Sequence, residues 1–325
     1  MGMHNKVKIG VSFRREFPPE DVLHSAQEVE ALGYDTLWLV EDCFYASGIA
    51  SAAATLASTE RIKVGVGIMP AVARNPVFTA MEIATIGRMY PERFIAGIGH
   101  GVARWMRQIG AFPNSQMIAL REGVEISRAL LDGAVVHYDG RQFQIDAGEL
   151  AYPPAIIPPI YLGVRGPKSL ELSGKIANGT ILAEYSSPEY VKWAKDQIQQ
   201  GKKDNTKHSI VVFVYAYAGE TREAEREKFR PMIAKAMLSQ RKDIYFTTTG
   251  YAELLREVQA IDDLHAASQL VPDVLVDQMG IFGTRTDWNR AIDDFAAAGA
   301  DEIVLVPMPK LGIAQAAVFA DFLEK

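Results

Sequence analysis

The sequence predicts a closed (β/α)₈ barrel, and three observations support this fold class. Eight short apolar segments, each typical of a buried parallel strand, alternate with segments of helical periodicity. The length of 325 residues is usual for such a barrel with insertions. Hydrophobic residues make up 48% of the chain, so a large core can form and disorder is not expected. We expect residues 1–325 to form a single domain.

The eight β-then-α units can be followed along the chain by their apolar runs and their helix signals. Pro-Pro-Glu-Asp opens the first helix and Gly33 ends it, while Gly299 ends the helix that runs to residue 298. The strands are predicted to begin at residues 7, 36, 62, 94, 160, 180, 210 and 303. Helices are predicted at 18–32, 48–57, 76–89, 101–107, 116–131, 167–177, 284–298 and 313–322, with two more starting at 188 and near 221.

Two segments interrupt this alternation. Between the fourth and fifth units, residues 135–145 contain two strand-like arms on either side of Asp139-Gly140, which predicts a β-hairpin. A second insertion around residues 241–280 has no sustained period, and we expect it to be irregular with one or two short helices.

Composition excludes several classes of function. The net charge is −6 with dispersed Lys and Arg, so we expect no nucleic-acid partner. No apolar run approaches the ~18 residues that span a membrane, and the N-terminus lacks a signal-peptide pattern. The single cysteine, Cys43, excludes an intrachain disulfide and fits a reducing cytoplasm. The six histidines show no ligand spacing, so no metal site is expected.

The stretch from Pro158 to Glu184 predicts an anion site. A buried strand ends at Val164, Gly166 allows a sharp turn, and Pro167 suits the first position of a helix. A helix N-terminus presents unpaired N–H groups and the positive end of the helix dipole, and Arg165 and Lys168 add two formal charges. Phosphate is the anion that this pattern favours. The alternative is an ordinary strand–helix turn with solvated basic side chains.

The active site of such a barrel lies at the carboxyl ends of its strands. Glycines recur at three of these ends, either because a flat ring approaches the backbone or because the narrowing barrel needs small residues. The strand ends are Ser12-Phe13-Arg14, Glu41-Asp42-Cys43, Gly65–Met69, Gly97–Gly101, Val164-Arg165-Gly166, Ala183-Glu184, Tyr215-Ala216-Tyr217 and Val306-Pro307-Met308.

Four titratable side chains at these ends are candidates for chemistry. His100 could donate a proton or bond a cofactor, or it could bond the backbone at the barrel mouth. Asp42 and Glu184 could be catalytic, or they could hold neighbouring basic residues. Cys43 could be a nucleophile, but the pattern favours a small packed apolar residue.

Several segments, in their order along the chain, resemble the luciferase-like superfamily, and most of all its deazaflavin branch of the methylenetetrahydromethanopterin reductase type. They cover most of the chain, with the 241–280 region least supported. The matching pieces are Lys63–Ile68, Arg74-Asn75-Pro76 with the helix from Ala80 to Thr85, Gly97–Gly101, the hairpin through Tyr138-Asp139-Gly140, Pro159–Pro167 with Ala177-Asn178-Gly179, and Gly283-Thr284 with the helix that ends at Gly299.

The resemblance implies the same barrel with a long insertion before the fifth strand and a flavin-type ring in its mouth. It implies that coenzyme F420, a deazaflavin, carries hydride, with FMN as the alternative cofactor. It also implies a bulge with a non-proline cis peptide at Gly67–Ile68, behind the ring. The cofactor contacts expected on this basis are Phe13, Asp42, Cys43, Gly67, Ile68, Met69, Gly99, His100, Val164, Arg165, Gly166, Pro167, Lys168, Ala183 and Glu184.

One position departs from the family pattern. Enzymes of the deazaflavin group often carry Asp-His or Glu-His after the second strand, whereas this chain has Asp42-Cys43. If that histidine donates a proton in relatives, its role is vacant here or has moved to Glu41, Asp42 or His100. The substrate of a relative therefore cannot be assumed.

Three functions remain open at this point. The leading one is an oxidoreductase that passes hydride between F420 and a small organic substrate at the barrel mouth. The others are an FMN-dependent monooxygenase, which uses reduced flavin and oxygen, and a non-catalytic flavin-binding barrel. Helices at 48–57 and 76–89, rich in Ala, Ile and Met, together with the resemblance, predict a homo-oligomer, either a dimer or a tetramer.

Overall fold

The computed structural model describes residues 7–239, 243–308 and 312–323. The strands are β1 (Lys8–Phe13), β2 (Thr36–Leu39), β3 (Lys63–Pro70), β4 (Phe94–Gly99), β5 (Val136–Asp139), β6 (Gln144–Gly148), β7 (Ile160–Gly163), β8 (Gly179–Leu182), β9 (Ser209–Ala218), β10 (Gly280–Gly283) and β11 (Glu302–Val306). The helices are α1 (Val22–Leu32), α2 (Gly48–Ala57), α3 (Pro76–Met89), α4 (Ala103–Gln108), α5 (Gln116–Leu131), α6 (Pro167–Ile176), α7 (Pro188–Gly201), α8 (Arg222–Met237), α9 (Asp243–Thr247), α10 (Ala252–Gln259), α11 (Leu264–Gln269), α12 (Asp273–Gln278), α13 (Arg285–Ala298) and α14 (Gln315–Phe322).

Eight parallel strands close into a barrel in the order β1, β2, β3, β4, β7, β8, β9 and β11. The ring is closed where β11 pairs with β1, with Ile9 opposite Ile303. The pairing of β8 with β9, with Thr180 opposite Ile210, completes the other side. The predicted (β/α)₈ barrel is therefore confirmed, and its eight strands are the eight predicted from apolar runs.

Side chains alternate along every barrel strand between two separate cores. Outward positions such as Val64 and Val66 of β3 pack beneath the surrounding helices. Inward positions fill the barrel itself with a smaller cluster: Trp38, Ile95, Tyr161, Ile181, Val211, Phe213, Val304 and Val306. This alternation decides which side chains of a strand reach the barrel mouth.

The closed end of the barrel contains a buried carboxylate. Glu302 of β11 accepts hydrogen bonds from the Thr36 hydroxyl and from the Trp38 indole N–H, the latter at 2.7 Å. Burial raises the pKa of Glu302, although both hydrogen bonds oppose this change. A Cβ on Gly10 would lie 2.2 Å from the Thr36 hydroxyl oxygen, so the cluster leaves no room for a side chain there.

Packing inside the barrel requires several of the glycines noted in the sequence. A Cβ on Gly65 would lie 2.4 Å from Cε3 of Trp38, and one on Gly163 would lie 2.4 Å from Cγ2 of Ile68. One on Gly97 would lie 2.2 Å from the carbonyl oxygen of Val66. At these positions the packing supports the narrowing of the barrel, rather than the approach of a ring, as the reason for glycine.

The predicted hairpin before β7 is confirmed, with a longer loop than the Asp-Gly signal implied. Strands β5 and β6 pair antiparallel, and residues 140–143 connect them. The buried carboxylate of Glu122 on α5 accepts hydrogen bonds from the backbone N–H groups of Arg141, Gln142 and Phe143 at 2.9–3.1 Å. Although burial opposes ionisation, these bonds lower the pKa of Glu122. They also attach the hairpin to the barrel.

The prediction of one or two short helices around residues 241–280 is wrong. The described part of this segment forms four short helices, α9 to α12, and then β10, which pairs with the end of β9. Helices this short are marginal alone and depend on tertiary packing, which a local pattern does not reveal. Part of that packing is an ion pair in which Arg226 of α8 binds Asp277 of α12 at 2.8 Å.

None of the helices in the described part of the chain combines the length and the apolar character needed to cross a membrane.

A half-buried histidine beside β9 has a lowered pKa. His208 Nε2 lies 2.8 Å from the Thr180 hydroxyl, which in turn bonds the Ser173 hydroxyl of α6. Burial, followed by the charge of Lys202, lowers the pKa of His208 from 6.5 to about 4. The native protein therefore keeps this ring neutral at pH values where the unfolded chain protonates it.

We expect the free energy of unfolding to fall as the pH drops from 6.5 towards 4, because the unfolded chain gains a proton that the native chain refuses. One group with this shift contributes about 3 kcal/mol at most across that window. Urea unfolding at several pH values measures it. His208→Gln should lose this part of the acid sensitivity, whereas His24→Gln, at an exposed position of α1, should keep it. If the free energy of unfolding depends on pH equally in both variants, the assignment to His208 is contradicted.

Candidate active site

A cavity of about 740 Å³ opens at the carboxyl ends of the barrel strands. This is the face on which barrel enzymes carry their active sites, and the volume suits a small organic ligand. Its polar lining comes from strands β1 and β9, from the loops after β1, β2, β4, β7 and β8, and from helices α5, α6 and α9. Those polar and charged residues are Ser12, Arg14, Arg15, Glu16, Asp42, His100, Gln116, Arg165, Ser169, Glu184, Tyr215 and Tyr245.

The end of β3 forms one wall of the cavity and carries a bulge. The pairing of β3 with β4 shifts between Val66 and Met69, and the peptide between Gly67 and Ile68 is cis. Both features were predicted from the family resemblance and are confirmed. Gly67 and Ile68 line the cavity, whereas Met69 returns to the outward side and is buried beneath the helices.

The turn from β7 into α6 forms the basic end of the cavity. Gly166 is the N-cap residue of α6 and has no side chain to cap the helix, while Pro167 occupies its first turn. Arg165 and Ser169 line the cavity beside it. The Tyr190 hydroxyl donates a 2.6 Å hydrogen bond to the carbonyl oxygen of Arg165, which fixes the turn. This geometry leaves the positive end of α6 facing the cavity.

The loops after β1 and β2 form a cluster of alternating charges on the rim. Arg15 Nη1 lies 2.6 Å from Oδ2 of Asp42, and Arg14 and Arg15 each contact Glu16 at 3.1 Å. Burial raises the pKa of Asp42, and the carboxylates of Glu184 and Glu16 add to this effect, while Arg15 opposes it. Asp42 is therefore a carboxyl group that holds a proton more readily than an ordinary aspartate.

The guanidinium of Arg14 lies against the ring of Tyr215, with Cζ 5.6 Å from the ring centre. Arg14 Nη1 also donates a hydrogen bond to the carbonyl oxygen of Pro307 at 3.3 Å. Burial raises the pKa of the Tyr215 hydroxyl well above its ordinary value, so this group stays protonated. These contacts hold the Arg14 cation in a fixed position in the cavity lining.

His100 follows β4 and is partly buried at the edge of the cavity. Burial, helped by the charge of Arg165, lowers the pKa of its imidazole. Its Nδ1 atom is buried and has no hydrogen-bond partner among the residues that the structure describes. At neutral pH the ring is therefore neutral, and it can donate through one nitrogen and accept through the other.

Glu41, one of the alternative proton donors, has a structural role. Its carboxylate accepts hydrogen bonds from two guanidinium nitrogens of Arg74, at 2.7 and 3.0 Å, and from the backbone N–H of Gly48 at 2.9 Å. These bonds join the loop after β2 to the start of α2 and to the segment before α3. Glu41 does not line the cavity, which leaves Asp42 and His100 from that set.

The structure brings together most of the predicted cofactor contacts. Those that line the cavity are Asp42, Gly67, Ile68, His100, Val164, Arg165, Gly166, Ala183 and Glu184.

The other predicted contacts lie outside the lining. Phe13 and Met69 occupy outward strand positions and belong to the core beneath the helices. Cys43 is partly buried, and burial raises the pKa of its thiol. Gly99 is buried with Ile68 over it, so that a Cβ there would lie 3.0 Å from Cγ1 of that side chain. Pro167 and Lys168 are exposed on α6, outside the lining.

Sequence reasoning did not assign roles to several lining residues. Side chains that alternate along β1 place Arg14 on the same side as Ser12 and Phe13 on the other. The same rule applied to β9 places Tyr215 on the inward side with Phe213. Tyr245 belongs to α9, in the segment expected to be irregular, and no sequence signal pointed to it. The polar lining residues without a predicted role are Ser12, Arg14, Arg15, Glu16, Gln116, Ser169, Tyr215 and Tyr245.

Comparison with known proteins identifies relatives of this barrel. A 5,10-methylenetetrahydromethanopterin reductase of Archaeoglobus fulgidus is 27% identical over 310 residues, which cover 92% of each chain. An F420-dependent glucose-6-phosphate dehydrogenase of Nakamurella multipartita is 29% identical over 185 residues, 53% of this chain and 55% of that protein. The fold matches the coenzyme F420 dependent tetrahydromethanopterin reductase of Methanopyrus kandleri with a TM-score of 0.82 at 20% identity, covering 98% of both chains.

The family described as luciferase-like monooxygenase matches residues 3–302, which include seven of the eight barrel strands, the first residue of β11, and every residue of the cavity lining except Val306. The chain therefore belongs to the luciferase-like monooxygenase family of enzymes.

Proposed function

We propose that this enzyme transfers hydride between coenzyme F420 and a small organic substrate in the cavity at the barrel mouth. The observation that carries the proposal is one cavity that holds both the uncapped start of α6 with Arg165 and the Asp42 carboxyl, whose pKa is raised. Relatives described as F420-dependent support this choice of cofactor over FMN. When bound, F420 would donate or accept the hydride.

The basic end of the cavity fits the phosphate of such a cofactor. The start of α6 faces the cavity without a side-chain cap, so backbone N–H groups there can bind an anion. Arg165 supplies a formal positive charge beside them. Most other long helices of the barrel begin with a serine, threonine or asparagine whose side chain caps the helix, such as Ser115 before α5 and Ser187 before α7.

The part of the cavity lined by Asp42 fits proton transfer to or from the substrate. Asp42 is the candidate acid, because burial and neighbouring carboxylates raise its pKa towards the range in which a carboxyl can give up a proton usefully. Neutral His100 can orient the cofactor ring or the substrate by a hydrogen bond. Glu184 lies close enough to Asp42 to contribute to its pKa.

The choice between F420 and FMN can be tested directly. We expect the purified protein to bind F420 more tightly than FMN in fluorescence titrations, and the reduced protein–cofactor mixture to consume little oxygen. Tight FMN binding with rapid oxygen consumption by the reduced complex would instead support a monooxygenase. Binding of either cofactor without turnover of any carbonyl, imine or alcohol substrate would support a non-catalytic barrel.

The phosphate assignment predicts a large effect of Arg165. Arg165→Ala should weaken cofactor binding by about 1.5–3 kcal/mol, the usual contribution of one charge-assisted contact. Lys168→Ala, at an exposed position outside the lining, is the matched control and should have a smaller effect. Calorimetric titration of each variant with the phosphorylated cofactor and with its dephosphorylated form measures these affinities. An unchanged dissociation constant in a variant that carries both Arg165→Ala and Lys168→Ala would disprove the assignment.

The acid assignment predicts a selective effect of Asp42. Asp42→Asn should lower turnover about a hundredfold or more, the range for loss of a general acid, with little change in cofactor affinity. Because substrate reduction needs the protonated carboxyl, wild-type turnover should fall as the pH rises through the pKa of Asp42. Cys43→Ala, one residue away but outside the lining, should retain turnover. Full activity of Asp42→Asn would exclude this carboxyl as the proton donor.

The predicted homo-oligomer also has a candidate surface. Phe78 and Met81 of α3 are 60% and 46% exposed, which is unusual for large apolar side chains on one helix. We expect a dimer or tetramer by light scattering at micromolar concentration. The double variant Phe78→Glu, Met81→Glu should dissociate it, whereas Leu23→Glu on α1, exposed to a similar extent, should not. A monomeric wild-type protein would contradict the prediction.

A further inference from the structure

Arg15 occupies an unusual position on the rim of the cavity. It lies in a tight turn after β1 that is closed by a 3.1 Å hydrogen bond from the N–H of Phe17 to the carbonyl oxygen of Arg14. The rings of Phe13 and Phe17 pack edge to face at 5.5 Å on either side of this turn. Because both rings are buried, the turn is fixed to the core. The backbone at Arg15 is therefore held in a fixed position.

Two aromatic rings, one from the loop after β2 and one from α4, contact the guanidinium of Arg15. Its Cζ atom lies 5.3 Å from the ring centre of Tyr45 and 5.4 Å from that of Trp105 on α4. Tyr45 is held by a 3.0 Å hydrogen bond from its N–H to the carbonyl oxygen of Asp42. Between them, Phe44 has φ of +83°, a left-handed conformation that a bulky side chain rarely adopts. The loop after β2 thus accepts backbone strain where it presents Tyr45 to Arg15.

Between these rings, Arg15 Nη1 reaches Asp42 Oδ2 at 2.6 Å, while Nε contacts Glu16 at 3.1 Å. We propose that Arg15, held between Tyr45 and Trp105, is the positioning residue that orients the Asp42 carboxyl and sets how readily it takes up a proton. The inference rests on the proposed role of Asp42 as the acid. It adds a residue that acts on that carboxyl rather than on the cofactor or substrate.

The charges around Asp42 determine the direction of the effect. Glu184 after β8 and Glu16 after β1 raise its pKa, as does burial, and the neighbouring thiol of Cys43 is neutral because its own pKa is raised. Arg15 opposes all of these influences. Loss of the guanidinium would leave them unopposed, so the Asp42 carboxyl should remain protonated to higher pH.

Carbon-13 NMR of aspartate side-chain carboxyls, in protein without cofactor, measures this directly. Asp42→Asn identifies the Asp42 signal by its loss. In Arg15→Met the titration midpoint of Asp42 should rise by about one pH unit or more, the usual effect of a cation at this distance. In Arg15→Lys the midpoint should lie between those of the wild type and Arg15→Met, because lysine keeps the charge but not the planar contacts of the guanidinium. An unchanged midpoint in Arg15→Met would overturn the proposal.

Two further comparisons separate positioning from a general structural effect. Arg104→Met removes an exposed arginine from the same helix as Trp105 and should leave the midpoint unchanged. Tyr45→Leu and Trp105→Leu keep Arg15 but remove its stacking partners, and each should shift the midpoint in the direction of Arg15→Met. If Arg104→Met shifts the midpoint equally, or if both ring variants leave it unchanged, the positioning role is disproved.

The outcome is independent of the cofactor assignment. The titration is carried out without F420, FMN or substrate, so a protein that uses FMN would give the same midpoints. If Arg15→Met shifts the midpoint but Asp42→Asn retains full turnover, the proposed acid role fails while the positioning contact stands. If Asp42→Asn loses turnover but the midpoint does not respond to Arg15, this inference alone fails. Thermal unfolding of each variant verifies that it is folded.

Discussion

The alternation of side chains in a closed barrel is the constraint on which the rest of this structure depends. Each strand can send only every second residue into the interior, because successive side chains point to opposite faces. On β2, Thr36 and Trp38 point inward, and Val40 continues the same side to the cavity. On β1, the same rule brings Ser12 and Arg14 to the site and leaves Phe13 in the outer core. The strand residues that reach the cavity therefore follow from this alternation.

The sequence predicts the barrel well because each strand is an apolar run and each helix has a local start or stop signal. It also predicts the turn from β7 into α6, since Gly166-Pro167 encodes a helix start within a few residues. The position of Tyr245 could not be predicted, because α9 is a five-residue helix that depends on tertiary packing. Phe13 is adjacent to a strand end, but its side chain lies in the core beneath the helices, a direction that adjacency in sequence does not give.

The rim shows a further reason why a site resists prediction from sequence. Arg15, Tyr45 and Trp105 are far apart in the chain and meet only when three loops come together over the barrel. Each of these residues has an ordinary local context, and an exposed basic or aromatic side chain in a loop carries no signal by itself. Asp42 likewise looks like any carboxylate after a strand, and its raised pKa arises from burial and from Glu184 and Glu16, which are remote in sequence. Local chemistry can be predicted from the sequence, whereas the coupling between loops cannot.

The buried cluster at the closed end of the barrel has a consequence for how this protein can diverge. Gly10, Thr36, Trp38 and Glu302 share one small volume, and Trp38 also occupies the space that a side chain at Gly65 would need. A substitution at one of these positions leaves an unpaired buried polar group or a steric overlap at another, so single changes are selected against. Among descendants of this chain, we expect the five positions to vary together or not at all, while rim residues are replaced one at a time. New substrate preferences can then evolve at the mouth without loss of the folded barrel.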